Sequence, residues 1–216
     1  SSGDRRVGKF GWKSQVASLL EFSGDAYRNE MGITNDLFPE ELTFHLSDAQ
    51  LRDCDPIDDP EDVPALGTGL RGIDNFEAFM KFLAPLPRGA TTPDSLAGEE
   101  VFRAVGCATC HVPTLMTGTN PNPLFDRQPV PLFSDLLLHD IGTGDGIRQA
   151  DGEPEEIRTP ALWGLRFRRP LLHGGSAATI AEALQKHDRE ARPAMERLGD
   201  VSPTALAELM AFLHSL

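Results

Sequence analysis

The sequence of 216 residues has no apolar run near the length of a membrane-spanning helix, so no membrane span is expected. It is also short of positive charge. Lys and Arg total 20 against 33 Asp and Glu, a formal charge of −13. That balance argues against nucleic acid as a partner and leaves a basic protein or a small molecule. Strand patterning is weak, and no internal repeat or low-complexity tract is present. No leader peptide opens the chain. Its start, from Ser1 to Arg6, reads as a cut edge and is set aside from the fold. Cysteine is scarce, with three in all. Cys54 stands alone, which suggests a free thiol or a partner outside the chain.

The patterning that exists is helical. Ile73, Phe76, Met80 and Leu83 keep helical spacing, with Asp74 near the start and Pro85 and Pro87 beyond the end. Gly98, Val101, Phe102 and Val105 follow the same period. Thr179 and Glu182 form a capping-box pattern ahead of Ile180, Ala183, Leu184 and His187. Ser202-Pro203 reads as an N-cap with proline in the first turn, before Leu206, Leu209, Met210 and Leu213. The stretches Asp53–Gly72, Pro113–Pro131 and Asp140–Pro160 read as loops. Long loops in a compact domain are often functional, and a large apolar prosthetic group would explain how they become ordered.

That group is indicated by Cys107-Ala-Thr-Cys110-His111, which fits the C-x-x-C-H pattern of covalent haem attachment. Two thiols one turn apart can add to the two vinyl groups, and the next histidine then faces the iron. A redox dithiol would want a βαβ setting, and a zinc site a second Cys or His pair at short spacing. Neither is present. The fold class expected is therefore mainly α, a c-type cytochrome haem domain with long irregular loops, carrying one haem c with His111 as proximal ligand.

The iron's second axial position could be filled by His45, His139, His173, His187, His214 or a methionine, or left open for substrate. His187 is favoured because it falls seven residues after Ile180, on the apolar face of its helix, although a satisfied core histidine would look the same. His139 is the next candidate, as a ligand or a loop anchor. His214 lies off the apolar stripe of its helix. Met116 is too close to His111 in sequence to reach the opposite haem face with ease.

Glu156-Ile-Arg158-Thr-Pro160-Ala-Leu-Trp-Gly and Pro170-Leu-Leu-His173-Gly-Gly-Ser-Ala-Ala-Thr179-Ile-Ala-Glu-Ala-Leu resemble the carboxy-terminal haem domain of the di-haem cytochrome c peroxidase superfamily. Phe10-Gly-Trp12-Lys, Asn29-Glu30-Met31-Gly32-Ile-Thr34, Phe133 to Asp140 and Arg158 to Gly164 are similar to one branch of it. That branch is the di-haem oxidoreductases, sometimes called thiol oxidoreductases. The resemblance spans nearly the whole chain. It places the distal ligand fourteen residues after His173, which is His187. There the peroxidases usually have methionine and the methylamine-utilisation relatives tyrosine, so histidine implies a bis-histidine, low-spin haem. Members carry two C-x-x-C-H motifs and this chain has one. The resemblance therefore implies a carboxy-terminal portion. Residues 1–90 would complete an interface with an absent amino-terminal haem domain or chain, and 91–216 would form the c-type cytochrome domain.

Within that frame Trp12 would couple the two haems and Glu30 would act as acid and base beside the absent one. Taken by themselves, Trp12 reads as a core aromatic and Glu30 as a solvated charge. Arg158 and His173 could pair with haem propionates, or Arg158 only with nearby acids. No metal besides haem iron is expected. The implied role is an oxidoreductase component relaying electrons to a second haem where peroxide-type chemistry occurs, with a small redox protein as electron partner. A pure electron-transfer cytochrome is the alternative. Because c-type haem is attached outside the bacterial cytoplasm, a periplasmic or otherwise extracytoplasmic location is expected.

Overall fold

The computed structural model describes residues 6–42, 45–54 and 60–216. The opening Ser1–Arg5 and part of the Asp53–Gly72 loop lie outside these. Among the described residues there are seven α-helices and four two-residue strands, so the architecture leans helical. The chain divides into two compact units. One comprises residues up to Gly11 together with Val16–Ala84, the other Trp12–Gln15 together with Pro85–Leu216.

The first unit is built on α1 (Leu19–Ala26), α2 (Asp48–Cys54) and α3 (Gly72–Lys81). Ser18 caps α1 by accepting the Glu21 N–H at 3.2 Å. The helix then widens into a π-helical turn over Tyr27–Met31 that carries Glu30, and left-handed Gly32 ends it. Asp74 accepts the Arg71 N–H at the start of α3 at 2.9 Å, as its position near the first turn leads one to expect. α1 packs on α3, with Ile73 buried and Tyr27 meeting Phe76 edge-on at 5.2 Å.

The second unit holds α4 (Pro93–Ala104), α5 (Ile180–Gln185), α6 (Arg192–Gly199) and α7 (Pro203–Leu213). Thr92 and Ser95 cap α4 reciprocally, at 3.1 and 2.9 Å, and Ser202 caps α7 through the Ala205 N–H. α4 and α7 cross at Gly98. A Cβ there would stand 1.9 Å from the Glu208 carbonyl oxygen, so only glycine lets the two backbones come this close. Around the crossing Phe102, Phe133 and Phe212 meet pairwise edge-on, with centroids 5.2–6.1 Å apart. Leu209, Leu213, Leu165, Leu171, Ala177 and Ile180 complete the core.

The loops are closed by small antiparallel pairs. β1 (Leu115–Met116) joins β2 (Pro129–Val130), and β3 (Leu138–His139) joins β4 (Ile157–Arg158). The glycine-rich segment between β3 and β4 folds around a buried cation. Lys13, whose side chain is 1% exposed, donates to the carbonyls of Glu153 (2.9 Å) and Glu156 (2.6 Å) and pairs with Asp145 at 2.9 Å. A buried ammonium persists only where its donors are met in this way.

Two helical expectations need correction. The periodicity ahead of His187 does not continue as helix, because α5 ends at Gln185 with Lys186 as its cap. The capping box there is half formed. Thr179 accepts the Glu182 N–H, but the Glu182 carboxylate reaches one residue further back, to the Ala178 N–H.

Candidate haem-attachment site

The segment carrying the two cysteines leaves α4 at Val105 and turns on Gly106, whose φ is +93°. Cys107–Thr109 then form a 3₁₀ turn rather than the start of an α-helix. Both the Cys110 and His111 N–H groups point to the Cys107 carbonyl, His111 at 3.0 Å. Arg197 on α6 fastens the turn by donating Nε–H to the Val105 carbonyl at 2.9 Å. The thiols are free and partly buried, and Cys107 and Ala108 pack against the core. Burial pushes the Cys107 thiol up to about 11. Burial, with Asp135 and Glu190 nearby, raises that of Cys110. Both stay protonated at neutral pH.

His111 and His187 share one arrangement. His111 Nδ1 lies 3.0 Å from the Phe133 carbonyl oxygen, and His187 Nδ1 lies 2.7 Å from that of Ala183. A carbonyl only accepts, so each Nδ1 carries the hydrogen and each Nε2 keeps its lone pair. This is how metal-binding histidines are oriented. Burial lowers both imidazoles, that of His111 to about 4, and His187 is near enough to His111 to contribute to its shift. Two neutral imidazoles and two free thiols are a donor set that fits a covalent haem.

The other histidines are placed differently. His139 has both ring nitrogens engaged by carboxylates, Nε2 with Asp135 at 2.8 Å and Nδ1 with Glu190 at 2.9 Å. Burial opposes its charged form, but the two carboxylates outweigh it and raise its pKa. With no free nitrogen it is a loop anchor here. His45 and His214 are exposed, as is Met116 at 62%.

His173 contacts Asp145 through Nε2 at 3.1 Å, and its buried Nδ1 has no hydrogen-bond partner among the described residues. Trp12 packs against it with ring centroids 4.7 Å apart and is 42% exposed, so it is not a core aromatic. The Lys13 contact holds Asp145 down to about 2, which keeps that carboxylate charged against His173. Arg158 on β4 donates its backbone N–H to the Trp12 carbonyl at 2.8 Å. Its guanidinium is partly buried, with its pKa lowered first by burial and then by Arg168. Glu30 is exposed and belongs to the other unit.

Sequence reasoning missed Lys13, Asp145, Asp135 and Glu190. Asp135 could have been found, four residues before His139 in one segment. Glu190 carries no local signal, being 51 residues away.

The family described as "Di-haem oxidoreductase, putative peroxidase" matches residues 3–216. Among curated proteins nothing matches. A solved MauG-like protein associated with microbial copper homeostasis is similar in fold, at 17% identity and a TM-score of 0.55, over 98% of this chain and 72% of that one. A hydrazine synthase from Kuenenia stuttgartiensis matches at 20% identity and a TM-score of 0.47, over 67% of this chain. The chain spans 55% of that protein's length. With two thiols, two oriented imidazoles and a family match along almost its entire length, the chain belongs to the di-haem oxidoreductase family.

Proposed function

We propose that the chain holds one haem c through thioether bonds from Cys107 and Cys110, with His111 and His187 as axial ligands. It then serves as the electron-relay part of a peroxidase-like oxidoreductase. The observation that carries this reading is the matched pair of Nδ1 contacts, which leaves both Nε2 lone pairs free. When bound, the haem supplies a one-electron iron couple.

The protein's own groups do the rest. The carbonyls of Phe133 and Ala183 fix the tautomer and aim of the two imidazoles. Phe102, in the core, packs beside the His111 ring at 6.3 Å. Were His111 and His187 both to hold the iron, substrate chemistry would belong to a second haem in an amino-terminal domain. There Glu30 would act as acid and base, and Trp12 would couple the two centres. His173 and Arg158 would face the propionates. The unpartnered Nδ1 of His173 supports such an acceptor.

The test starts with haem staining of a denaturing gel. The wild-type band should stain, and Cys107→Ala or Cys110→Ala should weaken it. An unstained wild-type band ends the haem reading. The ferric protein should be low-spin, without a methionine–iron charge-transfer band, and His187→Ala should give a high-spin fraction that binds added imidazole. An unchanged spectrum would remove His187 as a ligand. Peroxide turnover with both haems present separates the enzyme from the alternative, a non-catalytic electron-transfer subunit.

A further inference from the structure

His187 lies two residues beyond the last helical residue of α5, so the helix alone does not fix it. On its amino-terminal side it is held by its N–H to the Leu184 carbonyl at 3.0 Å and by Nδ1 to Ala183. On its other side the chain is fastened to the segment that follows β3. The Asp188 N–H donates to the Ile141 carbonyl at 3.1 Å, and the Glu190 N–H to that of Asp140 at 3.2 Å. Arg189 pairs with Asp140 at 2.5 Å, and the Asp140 N–H donates to the Glu190 carboxylate at 2.8 Å.

The side chain at the centre of this seam is His139. Its ring bridges Glu190, three residues after His187, and Asp135, whose own N–H donates to the Cys110 carbonyl at 2.8 Å. β3 keeps His139 in place by pairing it with Ile157. A continuous run of hydrogen bonds thus connects the Cys110–His111 turn to the turn bearing His187.

We propose that His139 is a positioning residue, a clasp that holds the His187 turn in register with the Cys110–His111 turn and so keeps His187 on the iron. The proposal rests on His187 being an axial ligand. Geometry suits the task. A ring held at opposite edges by two carboxylates fixes both distance and angle, and hydrogen bonds to charged acceptors are the strong ones. Asp135 and His139 are mostly buried, at 12% and 18% side-chain exposure, while Glu190 is half exposed at 52%. The Asp135 end is therefore the fixed post and the Glu190 end the one that opens.

The experiment uses the ferric holoprotein and reads, by absorption spectroscopy, how fast added imidazole displaces His187. His139→Ala should raise that rate about tenfold, through loss of the charged hydrogen bonds. Glu190→Ala should do likewise, and the double variant should be no faster than the faster single one, because both remove the same bridge. If His139→Ala fails to accumulate as holoprotein, Asp135→Asn, which removes the charged acceptor at the buried end, and Glu190→Ala, which also loses the Asp140 contact, read the bridge from its two ends. Wild-type exchange rates in the single variants, or additive effects in the double one, overturn the clasp. His187→Ala is the control. If it binds imidazole at once while His139→Ala behaves as wild type, only the clasp falls. If it behaves as wild type, the ligand assignment falls and the clasp with it.

Discussion

At the scale of single residues, the groups that matter here are polar groups committed to fixed partners. Lys13 shows it most clearly. Its ammonium meets three carbonyls, at 2.6, 2.9 and 3.4 Å, and the Asp145 carboxylate at 2.9 Å, with almost no solvent contact. Lys13→Met keeps an unbranched stem as far as Cε, without the ammonium, and removes every one of these bonds. It should destabilise the holoprotein by roughly 3 kcal/mol, the cost of stranding buried acceptors. Denaturant titration followed by Trp fluorescence measures it, and a loss within error would mean that water replaces the ammonium. Cys107, Cys110 and His111 can be proposed from the sequence because haem-attachment chemistry needs neighbouring positions. The anchoring of His139 was not, because Glu190 is brought to it only by the fold.

At the scale of elements, α4 could be read in advance from its apolar period, and α7 from its apolar period together with the Ser202-Pro203 cap. Three short helices escaped notice. α1 contains Gly24 and ends in a wider turn, α2 is seven residues long, and α6 has no side-chain cap. Short helices rest on packing more than on local propensity. The extrapolated helix at His187 failed for a related reason. Apolar spacing continues past Gln185, but the backbone is drawn away by the Asp188 bond to Ile141.

The α4–α7 crossing gives the sharpest test at this scale. Gly98→Ala would put a methyl group 1.9 Å from the Glu208 carbonyl and should cost at least about 2 kcal/mol. Gly118→Ala, with no atom within 4 Å, should leave the melting temperature of the holoprotein unchanged. Equal melting temperatures for the two variants would show that the crossing yields easily.

At the scale of the whole molecule, the formal charge of −13 would become more negative with the propionates of the proposed haem, and no described helix is long and apolar enough to cross a membrane. A basic redox protein would be drawn to such a surface, and salt would weaken the encounter. The proposed haem chemistry also predicts a location. Fractionation of the source cell should find the haem-stained protein outside the cytoplasm, and a cytoplasmic holoprotein would contradict covalent attachment as read here.

The enclosed Lys13 has a practical consequence for anyone labelling this protein. Lys9 and Lys186 are exposed and should react promptly with amine-directed reagents, while Lys13 should stay unmodified as long as its loop remains closed. Because modification needs the ammonium to leave its carbonyls, the rate at which Lys13 acquires label would time the opening of residues 140–156. A single peptide in a mass spectrum would then serve as a clock for that loop.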